Sequence, residues 1–504
     1  MTTEPPGPSP GLLYDTKAGR WVVAVTVLGS AIAAIDSTVV GIALPAIGQD
    51  FHLSVSALQW VVTAYLLALA GLLLVGGALG DRFGRRRVFV LGVITFALTS
   101  LVCALAPNAD VLITGRALQG VGAALLTPGS LAILRASFAS GDQGRAIGAW
   151  SGLGGVATAI GPFLGGFLIS AVSWRLIFLI NLPIAAVVVV MAWRHVPETT
   201  DPTVSGRVDL LGAALVSIGL IGLTMGIIDE PGDGWGSTTV VGAFIVGALA
   251  FGAFLARESR AAHPILPLGI FRSTQFSATN LVTFLVYAAL SGALFLLPIQ
   301  LEQVSGYSPL EAGISLLPLT VIMLVFSARS GALASRIGPR LQMSVGPVVV
   351  GAGMVLLRRV GVSGDYLSEV LPAMLVLGAG LALTVAPLTT TALSSAPGDH
   401  AGVASAVNND VARAGGLVAV ALLPVLAGIT GASYLHPLQL EAGFRTAVVI
   451  AGLAAAAGGV LSALFISDPR SRTPGPGVLV PSSSHCGLEA PPLALATAGT
   501  TPAA

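Results

Sequence analysis

Gly77-Ala78-Leu79-Gly80-Asp81-Arg82-Phe83-Gly84-Arg85-Arg86 returns 254 residues further on as Gly331-Ala332-Leu333-Ala334-Ser335-Arg336-Ile337-Gly338-Pro339-Arg340. Each copy closes one long apolar run and leads into the next. Two more correspondences keep nearly the same frame. Gly120 and Gly122 answer Gly378 and Gly380 at an offset of 258, and Gly141-Asp142-Gln143 answers Gly398-Asp399-His400 at 257. The chain therefore reads as two copies of one unit in parallel orientation.

Composition says what the unit is made of. Of the 504 residues, 54% are hydrophobic and 9% are charged, far below the roughly 25% charge of soluble domains. A spanning helix needs about 20 largely apolar residues. By that measure the spans fall near 21–45, 57–80, 88–106, 111–134, 146–170, 174–193, 209–228, 239–256, 277–301, 311–334, 342–360, 368–394, 402–429 and 446–467. The runs are long and lack period-two alternation, so helices are expected rather than strands. Span n matches span n+8, which leaves the seventh and eighth outside the repeat. The expectation is an all-α polytopic membrane protein: a tail over 1–20, a six-helix half over 21–193, an inserted pair over 209–256, a second six-helix half over 277–467, and a tail over 468–504. That last tail is rich in Pro, Ser, Ala and Gly without periodicity, and reads as disordered.

Orientation follows from Lys and Arg. With the N-terminus inside, 17 basic residues lie on the inner side and 4, Arg175, Arg358, Arg359 and Arg445, on the outer. Both termini are expected in the cytoplasm, and no cleavable signal peptide is apparent. Arginine supplies 23 of the 24 basic residues, which fits a GC-rich bacterial genome. Net charge is +1 with no basic tract, so no nucleic-acid partner is expected. Cys103 lies in an apolar span and Cys486 in the tail, an improbable disulfide. The six histidines are scattered and no HExxH or nucleophile elbow is present. Neither a metal site nor a catalytic residue is expected, and an intramembrane enzyme has no support. A sensor is disfavoured by the lack of a soluble signalling domain.

The most informative single residue is Asp36, in the run Ala34-Ile35-Asp36-Ser37-Thr38 of the first span. A carboxylate at membrane depth costs roughly 2.5–3.5 kcal/mol to insert and marks a functional site by default. At ~1.5 Å per residue it lies ~22 Å into the span, ~8 Å from the outer face of a ~30 Å core. Arg116 enters the fourth span from outside and is ~8 Å deep too. The two are placed to pair, and a proton bound at Asp36 would have to release that pair. The alternative is an Arg116 that snorkels to the outer interface.

Three other stretches carry candidate sites. Gly77, Asp81, Arg82, Gly84, Arg85 and Arg86 form a glycine-turned charged loop, either a cytoplasmic latch or a loop serving topology alone. In the fifth span Gly148 and Gly152, then Gly161 and Gly165, repeat at four-residue spacing, which permits close helix approach, and Pro162 removes a backbone donor. In the thirteenth, Asp410 and Arg413 are neighbours on one helical face, read chiefly as a neutralising pair and, with Asn408 beside them, as further candidates for a substrate cavity. By the repeat, the ninth span matches the first, which offers Asn280, Tyr287 and Gln300 as residues facing a substrate cavity.

The loop Gly76–Gly92 resembles the signature loop of the major facilitator superfamily, whose build is two parallel six-helix halves with substrate bound near the midplane between them. Gly161-Pro162 through Gly165-Gly166 resembles the antiporter motif of its export branches. The runs Ile35–Pro45, Leu58–Leu67, Trp174–Pro183 and Gly306–Gly313 look like those of the fourteen-helix drug:proton antiporters. The resemblance covers roughly residues 20–465. It departs at Gly41, where that branch usually has asparagine, at Leu176, usually aromatic, at Ala157, usually glycine, and at Ser335, which replaces the loop aspartate in the second copy. It implies a monomeric exporter of amphipathic drugs or antibiotics in the bacterial cytoplasmic membrane, working by alternating access without a cofactor and driven by protons acting at Asp36 and Arg116. It further implies a loop that stabilises one state of the cycle. A transporter of one specific metabolite on the same fold is the alternative.

Overall fold

A computed structural model describes residues 11–200, 209–261, 266–395 and 401–468. Among these, fourteen helices are long and apolar enough to cross a membrane. They are α1 (Lys17–Phe51), α2 (Val55–Phe83), α3 (Arg85–Ala104), α4 (Ala109–Ser137), α5 (Ser140–Ala171), α6 (Leu176–His195), α7 (Leu210–Asp233), α8 (Thr238–Glu258), α9 (Thr274–Gln303), α10 (Pro309–Ile337), α11 (Pro339–Arg359), α12 (Tyr366–Ser394), α13 (Val403–Leu426) and α14 (Pro437–Phe465). The expected count of spans is thus found. Most ends run past the expected spans, by nine residues at the start of α14, because polar caps and basic flanks continue a helix that a hydropathy ruler cuts short; a few stop one to three residues early, as α13 does at Leu426. Side-chain oxygens of Thr16, Ser54 and Asn108 accept from the first free backbone N–H groups of α1, α2 and α4, the usual remedy for unpaired donors at a helix start. The expected tail over 468–504 lies outside the described residues except for Asp468. Part of the expected N-terminal tail is pinned: the Leu12 N–H donates to the Ser137 carbonyl at 2.7 Å, and the Tyr14 N–H to Asp142 Oδ2 at 2.8 Å.

The repeat seen in sequence is also a repeat of backbone conformation. Gly84 has φ +111° and Gly338 φ +86°, and each joins two helices with no intervening loop. Only glycine takes such angles without a steric penalty.

The two six-helix sets touch at the end of the molecule away from the chain termini and part at the end where the termini lie. At the far end the Val55 N–H donates to the Gly431 carbonyl at 2.8 Å, and the Tyr434 hydroxyl to the Leu53 carbonyl at 2.7 Å. Gln59 Nε2 donates to the Val420 and Ala421 carbonyls, both at 2.8 Å. One apolar cluster there draws on both sets, including Leu44, Ile47, Leu297 and Phe444. At the terminal end the apolar clusters belong to one set or the other. Gly148 and Gly152 were expected to pack against another helix. They have no atom within 4 Å of where a side chain would begin, because α5 is separated from the opposing set along that stretch.

The inserted pair has a defined place. Helix α7 packs on α2 and on α13, along the seam between the two sets. Ser56 Oγ donates to the Ile228 carbonyl at 3.1 Å, and Trp60 Nε1 to Asp229 Oδ1 at 3.3 Å. Helix α8 packs on α7 through the close approach of Gly222 and Gly247 and turns Leu249 outward.

Candidate functional site

Asp36 is 1% exposed and Arg116 likewise, and Arg116 Nη1 meets Asp36 Oδ2 at 2.5 Å. The carboxylate accepts twice more, from Gln119 Nε2 at 2.9 Å and Asn181 Nδ2 at 3.3 Å. Gln119 sits three residues after Arg116, on the same face of α4, and its Oε1 accepts from Arg116 Nη1 at 2.6 Å. Ser100 on α3 accepts from both amides, at 2.8 and 3.2 Å. Arg116 Nε donates to the Val61 carbonyl at 3.2 Å, and the guanidinium lies 4.3 Å from the centre of the Tyr65 ring. Five helices, α1, α2, α3, α4 and α6, thus meet at one neutral cluster. Burying a charge pair is tolerated when the geometry is good and the remaining polar atoms are partnered, and that condition is met here.

Glycine permits this convergence. Side chains at Gly115, Gly120 and Gly122 would collide with Cys103, with the Tyr65 carbonyl and Ala68, and with Phe96, so α4 can lie against α2 and α3 closely enough for its polar side chains to reach α1.

Beside the cluster is a cavity of about 290 Å³ between the two sets, lined from one side by Ser37, Gly41, Tyr65 and Arg116 and from the other by Ser291, Phe295 and Val420. Arg116 belongs to both the cluster and the cavity wall. Gly41 has open space before it, so the missing asparagine side chain is replaced by cavity volume. On α5, Gly161 and Gly165 press on Thr38 and Val39 of α1, while Gly166 meets Pro309 and Leu310 of α10. Pro162 lines the cavity. The glycine motif therefore serves both the packing of α5 on α1 and the closed seam at the far end.

The charged loop is latched within its own half. Asp81 Oδ1 lies 2.8 Å from Arg85, one turn on, and Glu198 accepts from the Arg86 N–H at 3.0 Å. Glu198 also lies 3.6 Å from the Arg86 guanidinium and 3.7 Å from that of Arg87. Arg82 stacks on Phe83. In the second copy, among the described residues, Ser335 bonds only to its own helix, at the Ala332 carbonyl.

The proposed cavity residues of the second half are placed elsewhere. Asn408 Nδ2 donates to Asn280 Oδ1 at 3.1 Å and to Thr283 Oγ1 at 2.8 Å, a clasp between α13 and α9. Gln300 Nε2 ties α9 to the Val360 carbonyl at 3.2 Å, and Tyr287 packs against the central apolar cluster. None of these lines the 290 Å³ cavity. The expected Asp410–Arg413 neutralising pair is not formed: no ion pair joins them within 4.0 Å, and Asp410 Oδ1 and Arg413 Nε are buried without a hydrogen-bond partner. Ser100, Gln119, Tyr65 and Asn181 were not singled out from sequence. Asn181 carried a signal in hindsight, a lone amide inside the apolar run Leu179-Ile180-Asn181-Leu182.

Two parallel six-helix sets around a cavity walled by a buried ion pair define a multi-pass membrane transporter. Residues 26–421 match the family model of the Major Facilitator Superfamily, and the chain belongs to that family. It is 37% identical over 438 residues to the tetracenomycin C resistance and export protein of Streptomyces glaucescens, covering 84% of this chain and 80% of that one. It is 35% identical to the methylenomycin A resistance protein of Bacillus subtilis, over 90% of this chain and 95% of that one. Among solved structures, a bacterial homologue of the human lysosomal transporter Spinster, in an inward-facing, unoccupied conformation, superposes with a TM-score of 0.65. It is 17% identical and the match covers 90% of this chain and 97% of that one; it shares the fold.

Proposed function

We propose that this transporter exports amphipathic drugs or antibiotics across the bacterial cytoplasmic membrane in exchange for protons, by alternating access, as a monomer with both termini in the cytoplasm and without a cofactor. The observation that carries the reading is Arg116, which pairs with Asp36 on one side and walls the cavity on the other. Two curated relatives whose names are those of antibiotic resistance proteins support the substrate class.

In this scheme the described state is open to the cytoplasm. Drug enters the cavity while Asp36 holds Arg116. A proton arriving from outside neutralises Asp36 and leaves Arg116 as a buried cation whose partner is gone. Breaking a buried pair in this way costs on the order of 3–5 kcal/mol. The cost falls when Arg116 turns its charge into the adjoining cavity, the space a drug occupies. Drug and proton thereby compete for one arrangement of Arg116, which makes their movements opposite. The charged loop, latched by Asp81 and Glu198, stabilises one state of that cycle.

The test uses inside-out vesicles with an acidic interior and a pH-sensitive dye, given a panel of lipophilic cations and neutral antibiotics. Drug-evoked proton release that Asp36→Asn abolishes, with the variant folded and inserted, supports the scheme. Release that persists in Asp36→Asn moves the proton site to another carboxylate, Asp410 first. Absence of proton movement with every compound sinks the multidrug reading.

A further inference from the structure

A groove of about 400 Å³ opens between α10 and α11 with α12 as its floor, lined by Phe326, Arg329, Leu333, Gln342, Ala382 and Leu383. Helix α11 packs on α12 and α14 and makes no substantial contact with the first six-helix set, so this side of the second set faces the bilayer rather than the central cavity. The groove is near the terminal end of α10: Arg329 precedes the end of that helix at Ile337 by eight residues, ~12 Å at the helical rise.

Two polar groups stand in otherwise apolar walls. Arg329 is exposed, and among the described residues no carboxylate lies within 4.0 Å of it; its contacts there are a 3.4 Å bond to the Val325 carbonyl of its own helix and the neighbouring Phe326 ring. Gln342 is 4% exposed. Its Nε2 donates to Ser330 Oγ at 3.0 Å and to the Ser330 carbonyl at 3.1 Å, but its Oε1 is buried with no donor. In the first copy of the repeat the corresponding residues are Val75, 6% exposed, and Val88, 7% exposed. The cation and the unpaired acceptor are thus additions peculiar to the second half.

We infer that this groove holds a phospholipid of the terminal-end leaflet, its phosphate on Arg329, a donor of its headgroup toward Gln342 Oε1, and an acyl chain along Phe326, Leu333 and Leu383. An exposed arginine at membrane depth is paired most readily by a lipid phosphate. A buried unpaired acceptor favours a headgroup carrying N–H or O–H donors, which means phosphatidylethanolamine or phosphatidylglycerol over phosphatidylcholine. The inference is independent of which substrate is carried.

The test is native mass spectrometry of the full chain in mild detergent, titrated with each of the three lipids at equal chain length, on wild type, Arg329→Gln, Gln342→Leu and Arg194→Gln, the last an exposed terminal-end arginine outside the groove. Arg329→Gln is expected to lower retention of all three lipids about fivefold, the worth of one cation near a lipid surface. Gln342→Leu is expected to erase the preference over phosphatidylcholine, with Arg194→Gln unchanged. Equal retention in Arg329→Gln and Arg194→Gln, with melting temperatures unchanged, overturns the site. So does displacement of lipid by an exported amphiphile that itself fails to bind Arg329→Gln, since the groove would then be a substrate entrance.

Discussion

Gln59 offers a direct way to shift the balance between the two ends of the molecule. It is 1% exposed, and its amide donates two bonds at 2.8 Å to carbonyls of α13, across the closed seam. Gln59→Leu keeps the volume and removes both bonds. A buried hydrogen bond is worth about 0.5–1.5 kcal/mol net, so the pair is worth about 2 kcal/mol. Both bonds belong to the terminal-end-open state, and the whole loss falls on it. At 1.4 kcal/mol per factor of ten, the equilibrium moves about 30-fold toward a state closed at the terminal end. Spin labels at Ser151 on α5 and Ala328 on α10, in a Cys486→Ser background in nanodiscs, would report this as growth of a shorter inter-label distance. A population within twofold of wild type, in a protein that melts normally, would refute the reasoning. It would mean that the apolar cluster at Leu44, Ile47, Leu297 and Phe444 holds the seam by itself.

Gly84→Ala should destabilise the protein by about 1–3 kcal/mol, because the new methyl would sit at φ +111° and 2.6 Å from Glu198 Oε1; a fall in melting temperature measured in detergent checks it. Asn181→Leu should leave one Asp36 lone pair and the Ser100 hydroxyl short of a donor, slowing drug-evoked proton release more than drug binding, and separate measurements of binding and release decide. Gly41→Leu should fit without collision and shrink the cavity, so export of the bulkier compounds in a panel falls first while the melting temperature holds or rises. At the cap just before α7, Asp209 accepts from the Gly212 N–H and pairs at 2.8 Å with Arg257 in the last turn of α8, and the Arg257 hydrogen bond, against a smaller cost of burial, lowers the pKa of Asp209. A lowered carboxylate contributes stability above its unfolded value near ~3.9 and loses it as pH falls through the folded one. The melting-temperature gap between wild type and Asp209→Asn should therefore be full at pH 7 and close below that range, and a gap independent of pH would argue against the ion pair.

The number of spans, the parallel repeat and the shared level of Asp36 and Arg116 were legible in the sequence, because each depends on position along the chain alone. Apolar length counts helices, a shared glycine such as Gly84 and Gly338 marks equivalent turns, and a rise per residue converts position into depth. Which side chains meet at a given depth was decided only by tertiary structure. Asn181 and Ser100 come from α6 and α3 to complete the Asp36 cluster, while Asn280 and Asn408, equally polar and equally within spans, turn to each other and form a clasp. Depth is a one-dimensional property, but the direction a side chain faces around its helix, and which helix stands there, depend on the packing of all fourteen. For the same reason no motif announced which end of the cavity is open. That follows from the balance of contacts between two nearly equivalent halves, and a few kcal/mol at residues such as Gln59 are enough to tip it.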